Sequence, residues 1–330
     1  KIFHFMSLFS GNLYGGMPLS THKIIRYIKK YKPDVIHLHC LNGYFVNIYK
    51  LLRYVAKNKI KTILTMHADF MMTGGCGISV DCEKHILNQC KKCPYVKEFN
   101  GKFSLNRTNH FYKKMQKSIK LFQSDLLRVT CVSPWLKKRY SLSPIYKGKS
   151  ITTILNPVNE DFFTKSKINP YVEKKNILYV TPDINDHVKC GWLISEIANK
   201  RRDLHFTIIC AKDTEFNTDC ENITFLSNSD RKISLKDYYC FADGTLILSK
   251  RETFSMVVAE SLVCGTPVYG FEAGGPETIC IEEYCKFYKH GNISDLSSSL
   301  ASISKNNLIE IKAKEKYDLS NIAKAYLSLF

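Results

Sequence analysis

Short apolar runs alternate with helix-period segments along the chain, and the alternation restarts once. Val35-Ile36-His37-Leu38-His39, Lys61–Met66 and Leu127–Val132 have strand length and strand composition. Residues 19–31, 46–58 and 106–122 carry apolar side chains at helical spacing. Ile24, Ile25, Tyr27 and Ile28 mark the first helix; Phe111, Met115, Ile119 and Phe122 mark the last. The last is also basic, so its apolar side suits either a core or a membrane surface. Strands separated by helices cannot close as tight hairpins; they build parallel sheet with both faces covered. Ile151-Thr-Thr-Ile154-Leu155-Asn156-Pro157-Val158-Asn159 is a strand and then a turn. Beyond it come Asn176–Val180, a helix at 191–200, His205–Cys210, Ile223–Phe225 and a short helix at 234–241. The tail, Leu319–Phe330, reads as a helix. The fold class is therefore α/β, with two halves.

The most specific segment follows. Residues 244–249 read as a strand, Lys250-Arg251-Glu252-Thr253 as a polar turn, and a helix is expected from near Phe254. Glu252 and Glu260 are eight positions apart. On a helix that spacing returns the second acid to within about 80° of the first, roughly 12 Å along the axis. The helix start offers free N–H groups and a positive dipole end, which suits a diphosphate. Gly265 stops the helix, Pro267–Phe271 is the next buried strand, and Gly274 and Gly275 allow backbone to approach a ligand closely. Lys189, just before Cys190-Gly191 at another helix start, offers a cation for a developing phosphate charge.

Glu252-x7-Glu260, then Cys264-Gly265-Thr266-Pro267-Val268, then Gly274-Gly275-Pro276-Glu277 resembles the pattern of the retaining glycosyltransferases of family 4, group 1. That family has the GT-B fold, two Rossmann-like parallel-sheet domains facing a cleft, and the resemblance runs over essentially the whole chain. It implies an acceptor-side domain over 1–156, a nucleotide-sugar domain over 157–317, and a final helix over 318–330 crossing back to the first domain. It also implies that Glu252 contacts the donor sugar and Glu260 grips the ribose. Phe254, Ser255 and Met256 would hold sugar and diphosphate through their backbone. Lys189 would neutralise the diphosphate; because Thr181-Pro182 replaces the arginine common after that strand in the family, either a cation from elsewhere such as Lys250 or Arg251 acts with it, or leaving-group stabilisation is weaker. Gly274 and Gly275 complete the donor side. The chain opens on Lys1 and reads as a fragment without the family's first strand and glycine-rich phosphate loop, so whether it is active in that form stays open.

Thr65-Met66-His67-Ala68-Asp69 through Thr73-Gly74-Gly75-Cys76, with Ile36-His37-Leu38-His39…Asn42-Gly43-Tyr44, resembles a subgroup that builds bacterial surface polysaccharides of the colanic-acid type. His67 ends a strand, and strand C-terminal ends open the ligand crevice of such sheets. His67 is a catalytic candidate, and His39, Asn42 and Tyr44 are acceptor-side candidates. For the histidines a structural role is the alternative.

Cys76, Cys82, Cys90 and Cys93 lie within 18 residues. Their spacing is open to a structural zinc, free thiols or disulfides, and Cys90-Lys-Lys-Cys93 has knuckle spacing. Cys210, Cys240 and Cys264 sit in apolar runs as small buried groups. Thirteen scattered cysteines fit a reducing compartment better than a disulfide scaffold. No Asp-x-Asp occurs, and no catalytic metal is expected.

Charge is divided unevenly. Residues 1–160 hold 27 Lys+Arg against 7 Asp+Glu, and residues 161–330 hold 21 against 23, so the +18 total splits as +20 and −2. A basic face suits nucleic acid, anionic lipid or a phosphorylated acceptor. No run is long and apolar enough for a membrane helix. The reading is a cytoplasmic glycosyltransferase at the inner membrane face, moving sugar from a nucleotide-diphosphate donor to a polysaccharide or lipid-linked glycan, with no nucleic acid partner. The rival readings are a sugar-nucleotide epimerase on the same fold and a zinc-stabilised basic nucleic-acid-binding protein.

Overall fold

The computed structural model describes residues 6, 9–12, 14–39, 41, 45–87, 90–100, 104–164, 166, 168–171 and 175–329. The chain divides into two compact units, Lys1–Ile154 and Leu155–Phe330.

In the first unit β1 (Val35–His39), β2 (Lys61–Met66), β3 (Leu127–Cys131) and β4 (Ser150–Thr153) pair in sequence order, all parallel. The helices are α1 (Pro18–Tyr31), α2 (Ile48–Lys57), α3 (Val96–Asn100), α4 (Thr108–Lys120) and α5 (Pro134–Leu142). Asn47 starts α2 by accepting from the Lys50 N–H, and Ser133 starts α5 by accepting from the Leu136 N–H. Phe111, Met115, Ile119 and Phe122 are all buried, so the apolar side of α4 is core and not a membrane face. The Phe111 ring lies 5.8 Å from Tyr49 of α2. Tyr27, grouped above with Ile24, Ile25 and Ile28, instead stacks on Tyr31 at the surface.

The long connection after β2 is pinned by buried polar groups. Asp69 is fully buried and accepts from the Ser79 N–H (3.0 Å), the Ser79 hydroxyl (2.8 Å) and Arg139 of α5 (3.1 Å). Tyr140 and Tyr146 donate to the carbonyls of Ala68 and Met71.

In the second unit β5 (Asn176–Thr181), β6 (His205–Cys210), β7 (Ile223–Leu226), β8 (Gly244–Ile247), β9 (Val268–Phe271) and β10 (Cys285–Tyr288) form one parallel sheet in the order β10-β9-β8-β5-β6-β7. Its helices are α6 (Leu193–Lys200), α7 (Leu235–Phe241), α8 (Met256–Val263), α9 (Gly275–Ile279), α10 (Ile293–Ser299), α11 (Asn307–Tyr317) and α12 (Leu319–Leu327). The chain runs outward from β5 to β7, then returns to lay β8 on the other side of β5 and runs outward again. This reversal is a topological switch point, where strand C-termini open a crevice. Alternate β5 residues face opposite layers: Ile177 and Tyr179 pack with Ile194, Ile197 and Phe206, whereas Leu178 packs with Ile209, Tyr238 and Tyr239.

Two local expectations change. The helix after Glu252 begins at Met256, so Glu252 lies off it and the two-turn geometry of the carboxylate pair does not apply. The Gly-Gly-Pro-Glu stretch is the start of α9, with Pro276 in its first turn and Glu277 capping it, and not an open loop. Among the described residues no helix is long and apolar enough to cross a membrane.

Candidate active site

The switch point brings together two residues 63 positions apart. Lys189 follows β5 and Glu252 follows β8, and the Lys189 ammonium donates to Glu252 Oε1 at 2.7 Å. The Lys250 N–H bonds the Val188 carbonyl at 2.8 Å, and the Tyr179 hydroxyl bonds the Lys189 carbonyl at 2.9 Å. These bonds fix the lysine loop to both strands. The Ser249 hydroxyl also donates to Glu252 Oε1, at 2.6 Å. Both bonds fall on Oε1, so Oε2 carries no hydrogen bond among the described residues. The Glu252 side chain is 10% exposed and that of Lys189 26%.

The Glu252 backbone is held as firmly as its side chain. It bridges Gly274, its N–H donates to Ala273 (2.9 Å), and its carbonyl accepts from Gly275 (2.8 Å). Gly274 has φ 107, a region that favours glycine. A Cβ on Gly275 would stand 2.5 Å from the backbone of Thr253 and Phe254. The close approach at Gly275 is thus between two turns of the protein itself. Glu277 accepts from the N–H groups of Ala273 and Gly274 and completes the turn.

At the mouth of α8, Ser255 has φ 88 and ψ 96, and its buried hydroxyl has no partner. A serine held in this conformation is strained. No side chain caps α8, so the first N–H groups of the helix stay open to a ligand. Phe254 is buried, edge-on to Tyr317 at 6.5 Å, and Met256 is 37% exposed. Glu260 lies one turn into α8. Burial pushes its carboxyl up to about 7, opposed by the neighbouring Tyr239 hydroxyl. Lys250 stands over the Trp192 ring at 5.9 Å, and Arg251 is half-buried. Sequence reasoning missed Ser249 and His290. His290 contacts the Leu248 carbonyl at 3.3 Å, and burial lowers its pKa. Ser249, three residues before Glu252 at a strand end, is the one of the two that position alone could have flagged.

In the first unit the histidines meet at the C-terminal ends of β1 and β2. His39 Nδ1 and His67 Nε2 are 3.0 Å apart, and His37 Nε2 lies 2.8 Å from the Thr65 hydroxyl. Two imidazoles that share a hydrogen bond cannot both be cations. Burial, with repulsion from the neighbouring rings, lowers His37 and His67 to about 4. Asn42 and Tyr44 lie outside the described residues. Among the described residues no three or more His, Cys, Asp or Glu side chains are placed to share a metal ion. Cys76, Cys82, Cys90 and Cys93 form no disulfide. Burial pushes Cys76 up to about 12 and Cys90 up to about 11, and the Cys90 sulfur accepts the Gly74 N–H at 3.0 Å.

Known proteins place this arrangement in context. Residues 1–162 match the family model described as Glycosyltransferase Family 4, and residues 174–306 match Glycosyl transferases group 1. No curated protein matches the sequence. Among solved structures, sucrose-phosphate synthase from Thermosynechococcus elongatus is similar at TM-score 0.64 and 16% identity, over 99% of this chain and 78% of that one. A glycosyltransferase from Rickettsia africae gives 0.62 and 16%, over 94% and 79%. Anabaena HepE in complex with UDP gives 0.61 and 12%, over 93% and 80%. With a four-stranded and a six-stranded parallel sheet in separate units and both family models matched, this chain belongs to the group 1 glycosyltransferases and has the GT-B fold.

Proposed function

We propose that the chain transfers a sugar, with retention of anomeric configuration, from a nucleoside-diphosphate donor to a polysaccharide or lipid-linked glycan. The Lys189–Glu252 pair at the β5/β8 switch point carries this reading. A donor diphosphate at the open N-terminus of α8 lies on the side of the dipole that favours it. Lys189 then meets the charge that develops on the leaving group, and a preorganised cation there stabilises the transition state. Glu252, with Oε2 open, accepts from a sugar hydroxyl. Glu260, as the carboxylate, accepts from the ribose hydroxyls, and the strained Ser255 hydroxyl finds its partner in the donor. Arg251, Phe254, Met256 and the Gly274–Gly275 turn frame the same pocket. His67 is proposed to act near the transferred sugar, with His39 on the acceptor side. HepE, whose solved complexes contain UDP and UDP-glucose, supports a nucleotide-sugar donor.

The test is a thermal-shift panel of nucleoside diphosphates on the full chain. At least one should raise Tm, and Glu260→Ala should weaken that nucleotide by about 1–3 kcal/mol, the cost of leaving polar partners unpaired. Equal affinity in wild type and variant overturns the assignment. Two further proposals are independent of the donor. The basic first half, 27 cations against 7 acids, is read as docking on an anionic inner-membrane surface; liposome binding should rise with anionic lipid and fall with salt. A structural zinc on Cys76, Cys82, Cys90 and Cys93 rests on spacing and not on geometry. Elemental analysis expects one zinc per chain, and its absence with all four thiols freely alkylated overturns it.

A further inference from the structure

Cys240 and Cys264, read above as small buried groups, are placed otherwise. Cys240 sits near the C-terminal end of α7, and Cys264 caps the C-terminal end of α8. Both line one cavity of about 300 Å³, together with Phe162, Ser166 and Lys305. The Cys264 thiol donates to the Phe162 carbonyl at 3.9 Å, and each of the two thiols perturbs the other's ionisation across the cavity. The Lys305 ammonium donates to the Cys240 carbonyl at 2.6 Å, which holds its charge beside the pair. The other charged groups around them are Lys236 on α7, Asp243 just after it, Glu260 on α8, and Glu310 on α11, which is paired with Lys314. Nothing in the transfer chemistry proposed above uses these sulfurs.

We propose that Cys240 and Cys264 form a redox-active dithiol that a small hydroperoxide closes to a disulfide. The Cys240 thiolate attacks the peroxide oxygen; the O–O bond breaks, Cys240 becomes a sulfenic acid, and the other oxygen leaves as alcohol or water. The Cys264 sulfur then attacks the sulfenic sulfur, an S–S bond forms, and water leaves with the second thiol proton. Two electrons pass from the thiols to the peroxide. Cys240 is the attacking partner because the Cys264 S–H, then the Ser166 N–H and the two lysines, hold its thiol at about 7 despite burial, whereas Cys264 is held far up by the same contact. The bond would tie together two helix ends that flank Glu260: the Cys264 N–H bonds the Glu260 carbonyl at 3.1 Å, and Tyr239, next to Cys240, lies against the Glu260 side chain.

The experiment uses the full chain, treated with stoichiometric hydrogen peroxide, alkylated, digested and read by mass spectrometry. A Cys240–Cys264 cross-linked peptide is expected, reversed by dithiothreitol and absent in C240S. In C264S, dimedone should label Cys240. Unoxidised Cys240 should react with iodoacetamide at pH 7 about 3-fold faster than an ordinary thiol, since a roughly 15-fold larger thiolate fraction is offset by lower nucleophilicity. Lys305→Gln should slow that reaction. Should C264S fail to fold, the wild-type alkylation rate and cross-link carry the test. Recovery of both cysteines fully alkylated after peroxide, or an ordinary alkylation rate at Cys240, overturns the proposal.

Discussion

Breaking the Lys189–Glu252 pair has a cost that can be worked out in advance. At 2.7 Å the two charges attract by roughly 6 kcal/mol at an effective dielectric of 20, and by about 1.5 kcal/mol in water. The Glu252 side chain is only 10% exposed, so desolvation offsets much of the larger figure. The Ser249 hydrogen bond at 2.6 Å survives loss of the lysine and limits the damage. The net coupling should therefore be about 1–3 kcal/mol. A double-mutant cycle of Lys189→Gln and Glu252→Gln reads it directly. The chain has two tryptophans, so in a Trp135→Phe background Trp192 reports unfolding of the second unit alone. Urea midpoints of the four proteins give the coupling. Additive effects, within about 0.5 kcal/mol, would refute the pair as an energetic unit. Turnover should separate the roles: Lys189→Gln should lower kcat by about 10²–10³ through the leaving group, a loss the stability cycle cannot supply.

The remaining predictions follow from strain, contact and protonation. Ser255→Gly should stabilise the second unit by about 1 kcal/mol, by relieving the φ 88 backbone and removing an unpartnered buried hydroxyl; the same variant should lose nucleotide affinity if that hydroxyl serves the donor, and an unchanged urea midpoint would remove the strain argument. Gly275→Ala should destabilise by more than about 2 kcal/mol, since its Cβ would meet backbone at 2.5 Å, and a normal midpoint would contradict the packing of the two turns. His37 and His67 stay neutral to about pH 4 when folded but take up protons from about 6.5 when unfolded. The unfolded state thus binds more protons between those values, so stability falls as pH drops from about 6.5 to 4 and levels off below. After discount for solvent exposure the pair contributes about 1 kcal/mol, and His37→Gln with His67→Gln should flatten that limb.

The fold was legible where burial is two-sided. β5, β6 and β9 are largely apolar runs, and a parallel sheet is the arrangement that buries such runs on both faces. The elements missed were short or weakly patterned. β10 reads Cys-Lys-Phe-Tyr, α9 has five residues, and α11 places its apolar positions without a strong helical stripe. In the candidate site, Glu252 was expected on the helix that carries Glu260, and the structure places it off that helix. Its eight-residue spacing from Glu260 suggested a shared helix, but the backbone of residues 252–255 is committed to bridging Gly274 and turning through Ser255 before α8 can begin. Local spacing cannot report a partner 22 residues away. The joining of Lys189 to Glu252 was likewise out of reach, because it depends on which strands are neighbours.

Two buried ion pairs differ in how much of each carboxylate the protein itself uses. Asp69 spends its carboxylate on the protein: Oδ2 accepts from the Ser79 N–H, the Ser79 hydroxyl and Arg139, and Oδ1 faces the Arg139 Nε at 3.4 Å. It is 0% exposed, Arg139 also lies over the Trp135 ring, and no acceptor capacity is left for a ligand. Replacing that pair would test folding and nothing else. Glu252 is held differently, with two donors converging on Oε1 while Oε2 is left open beside a lysine that is a quarter exposed. Around it stand an unpartnered hydroxyl, an uncapped helix start and a carboxyl at Glu260 pushed up to about 7. Each of these costs folding free energy, and on the reading proposed above each would be relieved by an anion at the helix start with hydroxyl donors on either side. A nucleoside-diphosphate sugar has both. On this account nucleotide binding should strengthen as pH rises through about 7 and Glu260 ionises. Affinity that is flat across that range, measured by calorimetry in the full chain, would mean that Glu260 does not meet the donor.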